Sequence, residues 1–128
     1  MKTIFLLLLI AAFPVIIYSC GGAEKQYSSK INFKLSNFTE DGMMMMPDKE
    51  SSGYINYEFC IPARDEYFKE VSGIDTTLAL YKTSKGRSKC SDKEWLCIGS
   101  SHQKNFKDVI LALAKLSYIR QISQTFWE

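Results

Sequence analysis

The stretch GYINYEFCIP, residues 53–62, alternates strictly: Ile55, Tyr57, Phe59 and Ile61 fall on one side, Asn56, Glu58 and Cys60 on the other. Successive side chains of an extended strand point to opposite faces, so the pattern predicts a strand with one face buried. Pro62 has no N–H to give to a ladder and ends the strand. A half-buried strand needs a second layer, and the following residues supply it. ARDEYFKEVSGI (63–74) carries Tyr67, Phe68, Val71 and Ile74 at helical spacing, with Gly73 placed for the C-terminal cap. TTLALYK (76–82) is β-prone, with Leu78 and Leu80 on one face. TSKGRSKCSDK (83–93) reads as a loop around Gly86, and EWLCIGSS (94–101) as a strand with Leu96 and Ile98 inward. NFKDVILALAKL (105–116) is the clearest helix, because Phe106, Val109, Ile110, Leu113 and Leu116 make a continuous apolar stripe. Asn105 is expected to cap it, and Asp108 in its first turn suits the helix dipole. YIRQISQTFW (118–127) closes the chain as a strand; Ile119 and Ile122 are three apart, so a bulge is needed to keep both on one face.

The element order is therefore β-α-β-β-α-β, an α+β class. It resembles the split βαβ, or ferredoxin-like, arrangement. The resemblance implies a two-layer sandwich over residues 53–128. One antiparallel sheet would have spatial order 4-1-3-2, both helices would lie on one face, and the other face would be open to a partner.

Upstream, Lys2 precedes an apolar run from Ile4 to Tyr18 that Pro14 interrupts. A membrane-spanning helix needs roughly 20 such residues, whereas a charged start, a short apolar run and then small residues is the layout of a signal peptide. Ile17, Ser19 and Cys20 resemble the lipobox of bacterial lipoproteins, and the following Gly21-Gly22 gives it a Bacteroidota-type look. The resemblance implies a signal peptide over residues 1–19 and a diacylglycerol-carrying Cys20. The domain would then be anchored to membrane lipid in the cell envelope. Two other readings of the run are a signal cut near Gly21 or Ala23, which leaves a secreted protein, and an uncleaved anchor.

Residues 20–52 read as the lipidated cysteine and a flexible tether, polar and rich in Gly and Ser. Within them Ile31, Phe33 and Leu35 alternate and suggest a short extra strand at a sheet edge. The run Met43-Met44-Met45-Met46 reads first as soft packing or low complexity, with Cu(I) binding through thioethers as the sharper alternative. No metal or cofactor site is assigned.

Cys60, Cys90 and Cys97 remain after Cys20, and export places them in an oxidising space, so one disulfide and one spare thiol is the arithmetic. With Cys60 and Cys97 both on the face away from the helices, Cys60–Cys97 is the expected bond and Cys90 the alternative partner. His102 is the sole histidine and no C-x-x-C occurs, which leaves little for zinc.

Sixteen basic residues face fourteen acidic ones, a balance that does not point to nucleic acid. Locally the charge is uneven. Lys82, Lys85, Arg87, Lys89 and Lys93 crowd the second loop, with Arg64 and Trp95 expected at the same end of the fold. These seven residues are candidates for protein binding; the contact surface would be either the basic hairpin or the open sheet face with Tyr54, Asn56, Glu58 and Trp95. Ser100, Ser101 and His102 read as helix-capping residues, since neighbours in sequence seldom form a nucleophile–base pair. No catalytic residue is assigned. The expectation is a small envelope lipoprotein whose domain binds another protein, of inhibitor or immunity type. The alternatives are a small envelope hydrolase using His102 or Cys97, and a structural subunit of an envelope complex.

Overall fold

The computed structural model describes residues 26–46 and 52–125. The leader, the lipidation expected at Cys20 and the tail 126–128 lie outside the described residues. The elements are β1 (Asn56–Pro62), α1 (Asp65–Ile74), β2 (Ala79–Tyr81), β3 (Glu94–Ser100), α2 (Phe106–Ala114) and β4 (Ser123–Thr125), preceded by a 3-10 turn at Leu35–Asn37. They form an α+β structure around one antiparallel sheet of order β2-β3-β1-β4, which read from the other edge is 4-1-3-2.

The alternation of β1 sets the packing. Tyr57, Phe59 and Ile61 are fully buried among Val71 of α1 and Phe106, Ile110 and Leu113 of α2, so both helices cover the same face. The apolar stripe of α2 is the one legible in its sequence. Asn105 departs from expectation: it precedes α2 in the left-handed region and makes no side-chain cap bond. Gly73 likewise stays helical, and α1 ends one residue later with Asp75 as its C-cap.

β3 lies in the opposite frame to the one expected. The register pairs Ile61 with Trp95, Phe59 with Cys97 and Tyr57 with Gly99, and residues directly opposite share a face. Trp95, Cys97 and Gly99 therefore face the helices. Leu96 and Ile98 face the other way and, with Cys60 and Cys90, build a second small apolar cluster. The far side of the sheet is not open: Glu58, expected at a contact surface there, is 2 % exposed.

Residues 26–46, expected as tether, are part of the folded body. Phe38 is buried, its ring 5.1 Å from that of Phe106, and Phe33 stacks on Phe106 at 6.4 Å. The edge strand anticipated around Ile31 is a single parallel bridge from Ile31 to Ile122, closed by Asn32 N–H to Ile122 O (2.8 Å) and Ile122 N–H to Lys30 O (2.8 Å). The closing strand starts at Ser123 rather than at Tyr118. Ile119 packs in the turn after α2 and Ile122 at the mouth of β4, so both are buried without a bulge.

Candidate functional site

In this antiparallel sheet the C-terminal ends of β1 and β2 and the start of β3 lie together. That end carries the seven residues singled out in the sequence. Ala63 N–H bonds Lys93 O at 2.9 Å, which sets Arg64 beside the root of the loop between β2 and β3. Lys82 sits 4.4 Å from the Trp95 ring centroid, a cation–π contact, and 3.9 Å from Asp65. Trp95 is thus a half-buried platform facing the helices rather than part of an open surface.

The loop, residues 82–93, carries five basic side chains and one acidic one. It folds back over the far side of the sheet and is held there by three devices. The first is the disulfide, which joins Cys60 to Cys90 and not to Cys97. Cys97 cannot reach Cys60 because consecutive ladder positions put them on opposite faces: Cys60 pairs with Leu96 and Phe59 with Cys97. Linking residues 30 apart removes loop-closure entropy from the unfolded chain worth roughly 3–4 kcal/mol. The second device is Glu58, whose buried carboxylate accepts the backbone N–H of Arg87 (3.3 Å) and Ser88 (3.1 Å). A carboxylate receiving successive amides fixes the backbone and sets a negative charge beneath a positive loop. The third is Gly86, at φ +61°, where a Cβ would stand 2.3 Å from Glu58 Oε2 and 2.8 Å from Leu96 Cδ1. Only glycine offers both that dihedral and that closeness.

The charged heads stay outward. Lys85 meets Asp92 at 3.2 Å and Arg64 meets Glu66 at 3.1 Å, all well exposed. Exposed pairs contribute about 0–1 kcal/mol and yield readily to a better partner. A shallow cleft of about 240 Å³ runs under the loop between Glu58, Leu96, Ile98 and Thr125. At the foot of the same end Arg120 grips Glu94 with one guanidinium nitrogen, 2.9 and 3.1 Å from its two oxygens. Burial works to raise the Glu94 carboxyl, but the Ser91 N–H and side chain, then Arg120, hold it below the ordinary range.

The enzyme-like residues are not brought together. Cys97 is fully buried among the helix-facing core, and burial, with the Asp75 charge second, pushes its thiol up to about 12. A thiol that stays protonated at neutral pH is a poor nucleophile. His102 is exposed at the opposite end of the sheet, its ring stacked at 3.8 Å on Tyr54. Ser101 is buried and structural: its Oγ accepts the Ile55 N–H (2.9 Å) and its N–H bonds Ile55 O (2.9 Å).

A polar knot that the sequence did not advertise lies inside the core. Asp75, fully buried, accepts bonds from Tyr57 OH, from Thr77 N–H (2.9 Å) and Oγ1 (2.7 Å), and from Gln103 Nε2 (3.2 Å). Burial, then the Asp75 charge, pushes the Tyr57 hydroxyl far above its usual range. The knot ties β1, the end of α1 and the loop before α2 to one another; a buried acid so fully satisfied rigidifies. Among the described residues no three His, Cys, Asp or Glu side chains converge on a metal-sized space, and no helix is long and apolar enough to cross a membrane.

No family model, curated protein or solved structure matches the chain. What it does has to be argued from the loop and the body that holds it.

Proposed function

We propose that this chain is a lipid-anchored cell-envelope protein whose folded body is a non-enzymatic binding module of inhibitor or immunity type. Its basic loop docks an acidic face of another protein. The observation that carries the reading is the way the loop is held: a disulfide, a buried carboxylate and a left-handed glycine fix a backbone that carries five basic side chains against one acid, Asp92. Loops fixed before binding lose little conformational freedom on docking, which is how small modules reach useful affinity. A positive patch steers encounter with a negative one. The disulfide suits an exported protein, and the lipobox-like Ile17-Tyr18-Ser19-Cys20 supplies the anchor to membrane lipid. The element order and the strand order also support assigning the body to the ferredoxin-like arrangement, which hosts many functions and fixes none.

The test is crosslinking in native membranes, with the wild-type chain set against Arg87→Glu/Lys89→Glu. The expected result is a defined protein captured by wild type and lost from the charge-reversed variant, with capture weakening as salt rises. Capture that survives both charge reversal and high salt would overturn the reading. So would capture no better than that given by the leader and residues 20–25 alone.

A further inference from the structure

Folding of residues 26–46 into the body changes what an anchor at Cys20 can do. Ser29 Oγ donates to Gln26 O at 2.8 Å, Lys30 N–H bonds Tyr27 O at 3.1 Å, and Tyr27 packs against the core. Only residues 20–25 then separate Cys20 from the folded body. A chain spans at most roughly 3.3–3.6 Å per residue, so a tether of residues 20–52 would reach about 110 Å, whereas residues 20–25 reach about 20 Å. That reach is less than the width of a small domain, about 30 Å. With Cys20 in the membrane, the body lies against the lipid instead of standing off it, and the side nearest Gln26 is the side that meets the headgroups.

That side carries a groove of about 460 Å³, which begins two residues along from Gln26. Alternation builds it: Ile31, Phe33 and Leu35 are half-buried and pack against the core, while Asn32, Lys34 and Ser36 are exposed, and all six line the groove. Phe33 is held by its stack on Phe106, and the segment by the bridge from Ile31 to Ile122, so the groove is formed before anything enters it. Lys34 is its one cation and makes no ion pair among the described residues. We infer that this groove seats an anionic phospholipid of the membrane that holds Cys20, with the phosphate on Lys34 and the glycerol and upper acyl carbons along Ile31, Phe33 and Leu35. The inference rests on the lipid anchor of the function proposed above. An apolar wall with a few polar groups at its rim is the make-up of a small-molecule groove, and anionic lipids attract a cation held near their surface. The short linker matters as much as the contacts. It makes docking intramolecular, at an effective concentration in the millimolar range, so a headgroup site too weak to act alone is populated.

The test starts from the intact mass of the chain and of its Lys34→Glu variant, extracted from native membranes, which reads acyl groups on Cys20 directly. Both are then reconstituted into phosphatidylethanolamine vesicles containing a phosphatidylglycerol with a diazirine high on its acyl chain, and the photolabelled peptides are mapped by mass spectrometry. The expected result is labelling concentrated on residues 28–36. It should fall about fivefold in Lys34→Glu, with the circular dichroism spectrum unchanged, and by a similar factor when phosphatidylcholine carries the diazirine in vesicles free of anionic lipid. A mass without acyl groups overturns the anchor, and this docking with it. An acylated Cys20 with labelling spread evenly over the body or gathered on another face overturns the docking and leaves the anchor standing. So does labelling of residues 28–36 that is indifferent to Lys34→Glu or to the charge of the lipid.

Discussion

Tyr57 lies across Gly99: a Cβ built on the glycine would stand 2.6 Å from the ring carbon Cζ and 2.7 Å from the hydroxyl oxygen. The two residues are directly opposed on β1 and β3, so the small residue makes room for the large one. The ring cannot move aside cheaply, because its hydroxyl is held by Asp75 and Gln103. Gly99→Ala should therefore destabilise by about 2–3 kcal/mol, as overpacking of a constrained core does. Urea unfolding followed by tryptophan fluorescence would measure it. A loss under 0.5 kcal/mol would show that the Tyr57–Asp75 contact does not constrain the ring.

This pair also explains where sequence reading succeeds and fails. The frame of β1 was legible because only one of its faces is apolar, and the stripe of α2 because it continues over three turns. β3 reads in the wrong frame from its sequence, with Leu96 and Ile98 inward, because Trp95 and Cys97 are as apolar as they are and the pattern does not discriminate between the two frames. What decided between them is Gly99 under Tyr57 and a second apolar cluster beneath the loop, neither of which is local. The disulfide followed the frame: once β3 turned over, Cys97 left the face of Cys60. The seven basic-end residues could be grouped because antiparallel connectivity alone gathers them, whereas the burial of Glu58 could not be foreseen from a polar position in an alternating strand. Residues 26–46 looked like tether because their polar, Gly- and Ser-rich stretches outweigh one short alternation at Ile31, Phe33 and Leu35; what anchors them is distant contact, as between Phe38 and Phe106.

That last point is testable by itself. If residues 26–46 belong to the core, Phe38→Ala should cost about 3 kcal/mol, the range for removing a buried phenylalanine. A tether residue would cost nothing. Hydrogen exchange gives a second reading: the amides of Asn32, Met44 and Met45, all bonded to backbone carbonyls, should be protected in the native protein.

The staple under the basic loop should act through the unfolded state and through local order. Cys60→Ala/Cys90→Ala should lower stability by roughly 3–4 kcal/mol. Trypsin should then cut at Lys85, Arg87 or Lys89 well before the rest of the domain. Glu58→Gln keeps the shape but weakens two charge-assisted bonds to the Arg87 and Ser88 amides, so a smaller loss of about 1–2 kcal/mol is expected. Equal cleavage rates in wild type and both variants would mean that the loop is not held by these contacts.

Cys97 gives the chain a defined alkaline weakness. Its thiol, ordinarily near 9.0, is pushed up to about 12 in the folded chain, first by burial and then by the Asp75 charge. The folded state thus holds this proton more tightly. Its contribution to stability is fully present below about pH 9.0 and is lost as pH rises from there toward 12. The slope is about 1.4 kcal/mol per pH unit, so about 1.4 kcal/mol is lost by pH 10. Tyr57 and Tyr118, whose hydroxyls are also raised by burial, add to the fall only above their ordinary value of 10.0, so the window from 9 to 10 isolates the cysteine. Denaturant unfolding across that window should show the slope in wild type and its absence in Cys97→Ala, even though the variant is less stable at neutral pH because of the cavity it leaves. The same burial should keep Cys97 unreactive to iodoacetamide at pH 8 until the protein unfolds. Rapid native alkylation, or a flat stability profile in wild type, would show that the thiol is accessible and would restore it as a candidate nucleophile.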